Sequence, residues 1–144
     1  MSRKWSVLGI VATAFALSAV GLSIASEDEG PVHKSMEKVG KKNGALKKAL
    51  RTPASFKKAG PDLVKNGEEL INLMKEVRAE KGPALKVKKP QTAWESAVDE
   101  MVTATVGFNK AAETGVHKDA QAAYRVMGSK CAACHKVFKV EEDE

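Results

Sequence analysis

Apolar residues recur three and four positions apart along four stretches of the chain, the period of an amphipathic helix rather than of a half-buried strand. In 32–50, Val32, Met36, Val39, Asn43, Leu46 and Leu50 form one seam. In 62–81 the apolar face is Leu63, Leu70, Leu73, Met74 and Val77, and Pro61 or Asp62 suits the helix start. In 92–113, Trp94, Val98, Met101, Thr105, Phe108 and Ala112 repeat at the same spacing, and Thr92 followed by Glu95 has the form of a capping box. In 119–139, Ala120, Ala123, Tyr124, Met127, Cys131, Cys134, His135 and Phe138 share a side. Between these stretches, "RTPASFKKAGP", "KGPALKVKKP" and "TGVHKD" hold helix-breaking residues and read as linkers, with His117 on the surface. Four such helices with short connections can bury their stripes only against one another. The expected fold is therefore all-α, an antiparallel up-down-up-down four-helix bundle.

Composition agrees with one globular domain: 43% of the 144 residues are hydrophobic and 29% charged. At 5% aromatic, the core must lean on Leu, Val, Ala and Met, which suits helices better than strands. Residues 1–26 stand apart. Arg3 and Lys4 precede an uncharged stretch over 5–25, and Ser23 and Ala25 are small residues at signal-peptidase spacing, so cleavage after Ala25 or Ser26 is expected. The alternative is an uncleaved anchor, because those residues are enough to span a hydrocarbon core of roughly 30 Å. In either case the domain, 27–144, is expected outside the cytoplasm, in the periplasm, and a membrane is a partner only if the segment is retained.

Loss of Arg3 and Lys4 with that segment lowers the formal net charge from +6 to +4. The lysines are interspersed with glutamates and no aromatic-interleaved basic patch occurs, so no nucleic acid is expected as a partner. A basic face would instead steer an acidic redox partner.

The only two cysteines and a histidine are gathered in "CAACH", Cys131 to His135. Positions i, i+3 and i+4 of a helix fall within about 100° of arc, so the three side chains reach the same object. C-x-x-C-H is the attachment pattern of c-type haem: the thiols add across the two vinyl groups as thioethers, and the imidazole of the same turn coordinates iron. A thioredoxin-like pair would need a βαβ context that this helical pattern lacks. Zinc would need further ligands, and His33 and His117 have no partner at finger-like spacing. A plain disulfide would close a very small loop and leave His135 unexplained. Only "KVFKVEEDE" follows His135, with no Met, His or Cys, so a protein ligand on iron's other face must come from upstream.

With "AAYRVMGSKCAACHKVFK" in view, the chain resembles the class II cytochromes c, the cytochrome c-prime family, in which a four-helix bundle carries one covalent haem near its C-terminus. Tyr124, Gly128, the CAACH residues and the pair Phe138 and Lys139 carry the resemblance in the last helix. It implies one haem c attached through Cys131 and Cys134, with His135 on iron and Lys139 near the haem edge or a propionate.

"MEKVGKKNGAL" is similar to the low-spin members of that family, with Met36 at the position of the second iron ligand and Gly40, Asn43, Gly44 and Leu46 in similar order. Two positions depart from the pattern: Val32 stands where an arginine would pair with a propionate, and Glu37 where a lysine commonly follows the methionine. Lys34, Lys38 and Lys139 are the replacement cations. The resemblance also allows two copies to pair through their first helices.

If both His135 and Met36 bind iron, the expected function is electron transfer without catalysis. The alternatives are a five-coordinate iron that binds nitric oxide or carbon monoxide, and ligation by His33 in place of Met36. Trp94, Phe108 and Tyr124 would supply an apolar shell. No paired carboxylates, activated nucleophile or phosphate loop accompanies these residues, and no enzyme is expected.

Overall fold

The computed structural model describes residues 30–138. The expected signal or anchor segment, 1–26, and Lys139 lie outside them. Among the described residues the protein is all-helical, with six helices and no strand. Four are long: α1 (Pro31–Ala49), α3 (Pro61–Arg78), α5 (Gln91–Glu113) and α6 (His117–Phe138). Their buried residues are those of the four seams, including Leu46, Leu63, Leu70, Val98, Phe108 and Met127, each contributing about 2 kcal/mol through burial. No helix among the described residues is long and apolar enough to cross a membrane.

Two linkers are not simple breaks. They form α2 (Pro53–Ala59) and α4 (Gly82–Lys86). In α2, Thr52 Oγ1 accepts from Ser55 N at 3.1 Å and Ser55 Oγ accepts from Thr52 N at 3.0 Å, a reciprocal cap with Pro53 at the first helical position. Phe56 then anchors the turn in the core. The expected cap at Thr92 is not formed: Pro90 flanks α5, which begins one residue earlier, and no side chain caps it.

Close packing joins α1 to α3, α3 to α5 and α5 to α6. Trp94 Nε1, near the start of α5, donates to Val77 O near the end of α3 at 3.0 Å. Arg78 grips Asp99 through two hydrogen bonds of 2.7 and 2.9 Å, and Lys130 of α6 reaches Glu100 of α5 at 2.8 Å. Lys42 of α1 pairs with Glu69 of α3.

The seam between α1 and α6 is bridged by side chains. Tyr124 OH donates to Asn43 Oδ1 at 2.8 Å. At the end of α1, Leu50 O lies 2.8 Å from His117 Nε2 and accepts from Gln121 Nε2 at 2.9 Å. Backbone carbonyls at a helix end lack partners within the helix, and these two side chains supply them. His117 is therefore not a surface residue; it is half-buried, with its ring 5.3 Å from that of Phe56.

Candidate functional site

The periodicity of α6 turns Cys131 and Cys134 toward the interior. Cys134 is 8% exposed and Cys131 half-buried, and both are free thiols. His135, one position further round the helix, is exposed. The three residues share an arc of the helix as expected, but only the sulfurs are covered. Cys131 Sγ lies 3.4 Å from Met101 Sδ of α5, a contact between two polarisable sulfurs. Next to Cys134, Phe138 packs edge-on against Trp94 with ring centroids 5.3 Å apart. Phe108 and Tyr124 form a second edge-on pair at 6.1 Å. All three aromatic residues singled out in the sequence thus have core partners, and Trp94 belongs to the end of the molecule that carries CAACH.

Burial pushes the Cys131 thiol up, and burial with the neighbouring Cys131 pushes Cys134 up to about 11. Tyr124 is also raised, by burial and then by Cys131, with the Asn43 hydrogen bond opposing. A catalytic thiol needs the opposite shift, toward the thiolate. These two hold their protons at neutral pH, which disfavours a thiol-disulfide enzyme. In the haem-free chain, iodoacetamide should label Cys134 slowly at pH 7 and faster as pH rises toward 11, followed by peptide mass. Because the folded thiol titrates above its ordinary value of 9.0, its contribution to stability is complete below pH 9 and is lost between there and about 11.

Met36 is half-buried on α1 and packs against the core. Its height relative to CAACH follows from the two hydrogen-bonded levels of the α1 and α6 seam. Seven residues forward from Asn43 is Leu50, and seven back from Tyr124 is His117, and that pair is also hydrogen-bonded. The same step in the other direction, about 10 Å along each helix, leads to Met36 and Cys131. The register therefore sets Met36 level with the first cysteine, and Val32 and His33 within a turn of His135. Of the two rival ligands, Met36 is the more covered; His33 is exposed. Lys34 and Lys38, the cations suggested for the propionates, are exposed on the same helix.

Open space adjoins Cys134 on one side. A cleft of about 380 Å³ between α5 and α6 reaches Cys134, Val137 and Phe138, with Ala93, Ala97 and Ala133 and the charged Lys89, Glu100 and Lys130 on its walls; Cys131, His135 and Met36 do not line it. Its size falls in the range of small-molecule sites, roughly 300–1,000 Å³. A Cβ added at Gly40, Gly44 or Gly128 would meet nothing within 4 Å, and Gly40 and Gly128 are exposed. A larger cavity of about 790 Å³ lies at the opposite end, lined by Phe56, Leu63 and His117 among others, and includes none of the expected site residues. Among the described residues no three His, Cys, Asp or Glu side chains gather as a metal site. Haem does not require such a group, since one imidazole and two thioethers hold it.

Sequence reasoning missed Met101, whose contact with Cys131 depends on how α5 and α6 mesh. Comparison with protein-family models, with curated proteins and with solved structures finds no match for this chain.

Proposed function

We propose that this protein is an exported, periplasmic monohaem electron carrier of the class II cytochrome c type, its haem c held through Cys131 and Cys134 on an antiparallel up-down-up-down four-helix bundle. The bundle topology is supported by the juxtaposed ends: the end of α3 with the start of α5, the last turn of α6 with the start of α5, and the end of α1 with the start of α6. The observation that carries the functional reading is the pair of free, inward-facing thiols one residue from an imidazole on the last helix; extending the register of the two hydrogen bonds between α1 and α6 brings Met36 to the same level.

The residues present fit such a group. When bound, haem c supplies a one-electron ferric and ferrous couple. Cys131 and Cys134 would fix its edge to α6, so that the His135 imidazole meets iron as a neighbour in the same turn. Met36 would offer its thioether from α1. Keeping the same two ligands in both oxidation states limits rearrangement, and an apolar shell favours the less charged reduced form. Trp94, Met101 and Phe138 would contribute that shell and exclude water. Lys139 is the cation assigned to a propionate or the haem edge, alongside Lys34 and Lys38.

Denatured, purified protein should retain the mass of one intact haem, and its reduced low-spin spectrum should not change under carbon monoxide. A colourless product with both thiols open to alkylation would rule the reading out. A carbon monoxide shift would select the five-coordinate, gas-binding alternative.

A further inference from the structure

We propose that the loop over 81–89, carrying α4, is a docking platform for an acidic redox protein, a step that rests on the electron-carrier reading. The stretch "KGPALKVKK" holds four lysines and no acid. Lys81, Lys86, Lys88 and Lys89 are all exposed, and none is paired with an acidic side chain among the described residues. At their centre Leu85 is 73% exposed, the most exposed of the large apolar side chains among the described residues.

The loop is a fixed surface rather than a trailing connection. Ala84 is buried in the core, and Lys89 N donates to Ala84 O at 3.0 Å. The loop also borders the candidate site: Lys89 lines the cleft that contains Cys134 and Phe138, together with Lys130 and Glu100.

Lys88 adds a second, independent sign. Its φ of +53° lies in the left-handed region, which glycine enters freely and a lysine side chain does not. Local backbone stability favours glycine there, yet the position carries a charge. An apolar contact ringed by unpaired lysines suits a protein surface bearing Asp and Glu around an apolar patch. One exposed leucine among four lysines is a poor anchor for a lipid surface, which takes a broader apolar face.

The test uses the full purified chain and a fluorescent oligoglutamate peptide as the acidic probe, read by anisotropy at low salt. The triple variant Lys86→Glu, Lys88→Glu, Lys89→Glu should bind about tenfold more weakly, and the difference should shrink at high salt. Reversing Lys57 and Lys58, at the other end of the molecule, should have little effect. Equal losses from both sets would overturn the proposal, because only net charge would then matter.

In stopped flow, one electron passes from reduced protein to ferricyanide, giving ferrocyanide. The platform variant should slow this reaction several-fold and the far-end variant should not. Lys88→Gly should raise the Tm while weakening peptide binding, a split that a purely structural lysine would not produce. No electron transfer at all, with peptide discrimination intact, would overturn the electron-carrier reading and leave the platform standing as a protein-binding surface. Binding to phosphatidylglycerol vesicles that is lost in Leu85→Ser, without peptide discrimination, would overturn the platform in favour of a membrane contact.

Discussion

Replacing Met36 by Ala is expected to leave haem attached, lower the reduction potential and open iron to carbon monoxide. The first outcome follows because Cys131 and Cys134 are on another helix. The second follows because a thioether stabilises the reduced state; the expected fall is on the order of 100 mV, a fraction of the roughly 0.8 V that axial ligands span. Carbon monoxide binding should go from none to one per haem, read from the reduced spectrum. Stability should change little by comparison, since Met36 is only half-buried. An unaltered spectrum would remove Met36 from iron. The companion variant His33→Ala would then separate ligation by that histidine from an iron with no sixth protein ligand.

The second large effect concerns folding rather than chemistry. Gly67 on α3 faces Asn109 on α5 so closely that a Cβ would lie 1.8 Å from Asn109 Oδ1 and 2.7 Å from its Cγ. Gly67→Ala would ordinarily favour a helix by up to about 1 kcal/mol. Here the clash should win. Asn109 is 7% exposed and has little room to turn, and overpacking of this kind costs about 1–3 kcal/mol, so the Tm should fall clearly. Asn109→Ala should offset the loss in the double variant. It should cost little alone, because Asn109 Oδ1 is buried without a hydrogen-bond partner among the described residues. The cycle of the two single variants and the double measures the coupling by thermal unfolding. A Gly67→Ala protein as stable as the parent would mean that α3 and α5 are not in such close contact.

The four long helices were legible because each seam is a local property: Leu46 and Leu50, or Val98 and Met101, declare their face by spacing alone. The short helices were not. Helix α2 hides between two prolines, and its cap uses Ser55 at the position where the common pattern has Glu or Gln. His117 looked exposed because its neighbours in "TGVHKD" are polar, while its partner is a backbone carbonyl 67 residues away. Neither Gly67 nor Asn109 interrupts the helical period, so their contact left no trace in the sequence. At the candidate site the residue types were readable and the geometry between helices was not. CAACH names its thiols and imidazole, but the level of Met36 depends on Asn43 meeting Tyr124, and Met101 on the meshing of α5 with α6.

The covering of Cys134 has a consequence for the order of events in biogenesis. A sulfur enclosed by folded neighbours cannot be delivered to an enzyme that joins it to a porphyrin. On the haem reading, attachment would have to precede final collapse or wait for the closing turns of α6 to fray. If the haem reading holds, loading would compete with packing, and a change that hastens docking of α6 onto α5 should lower the yield of loaded protein.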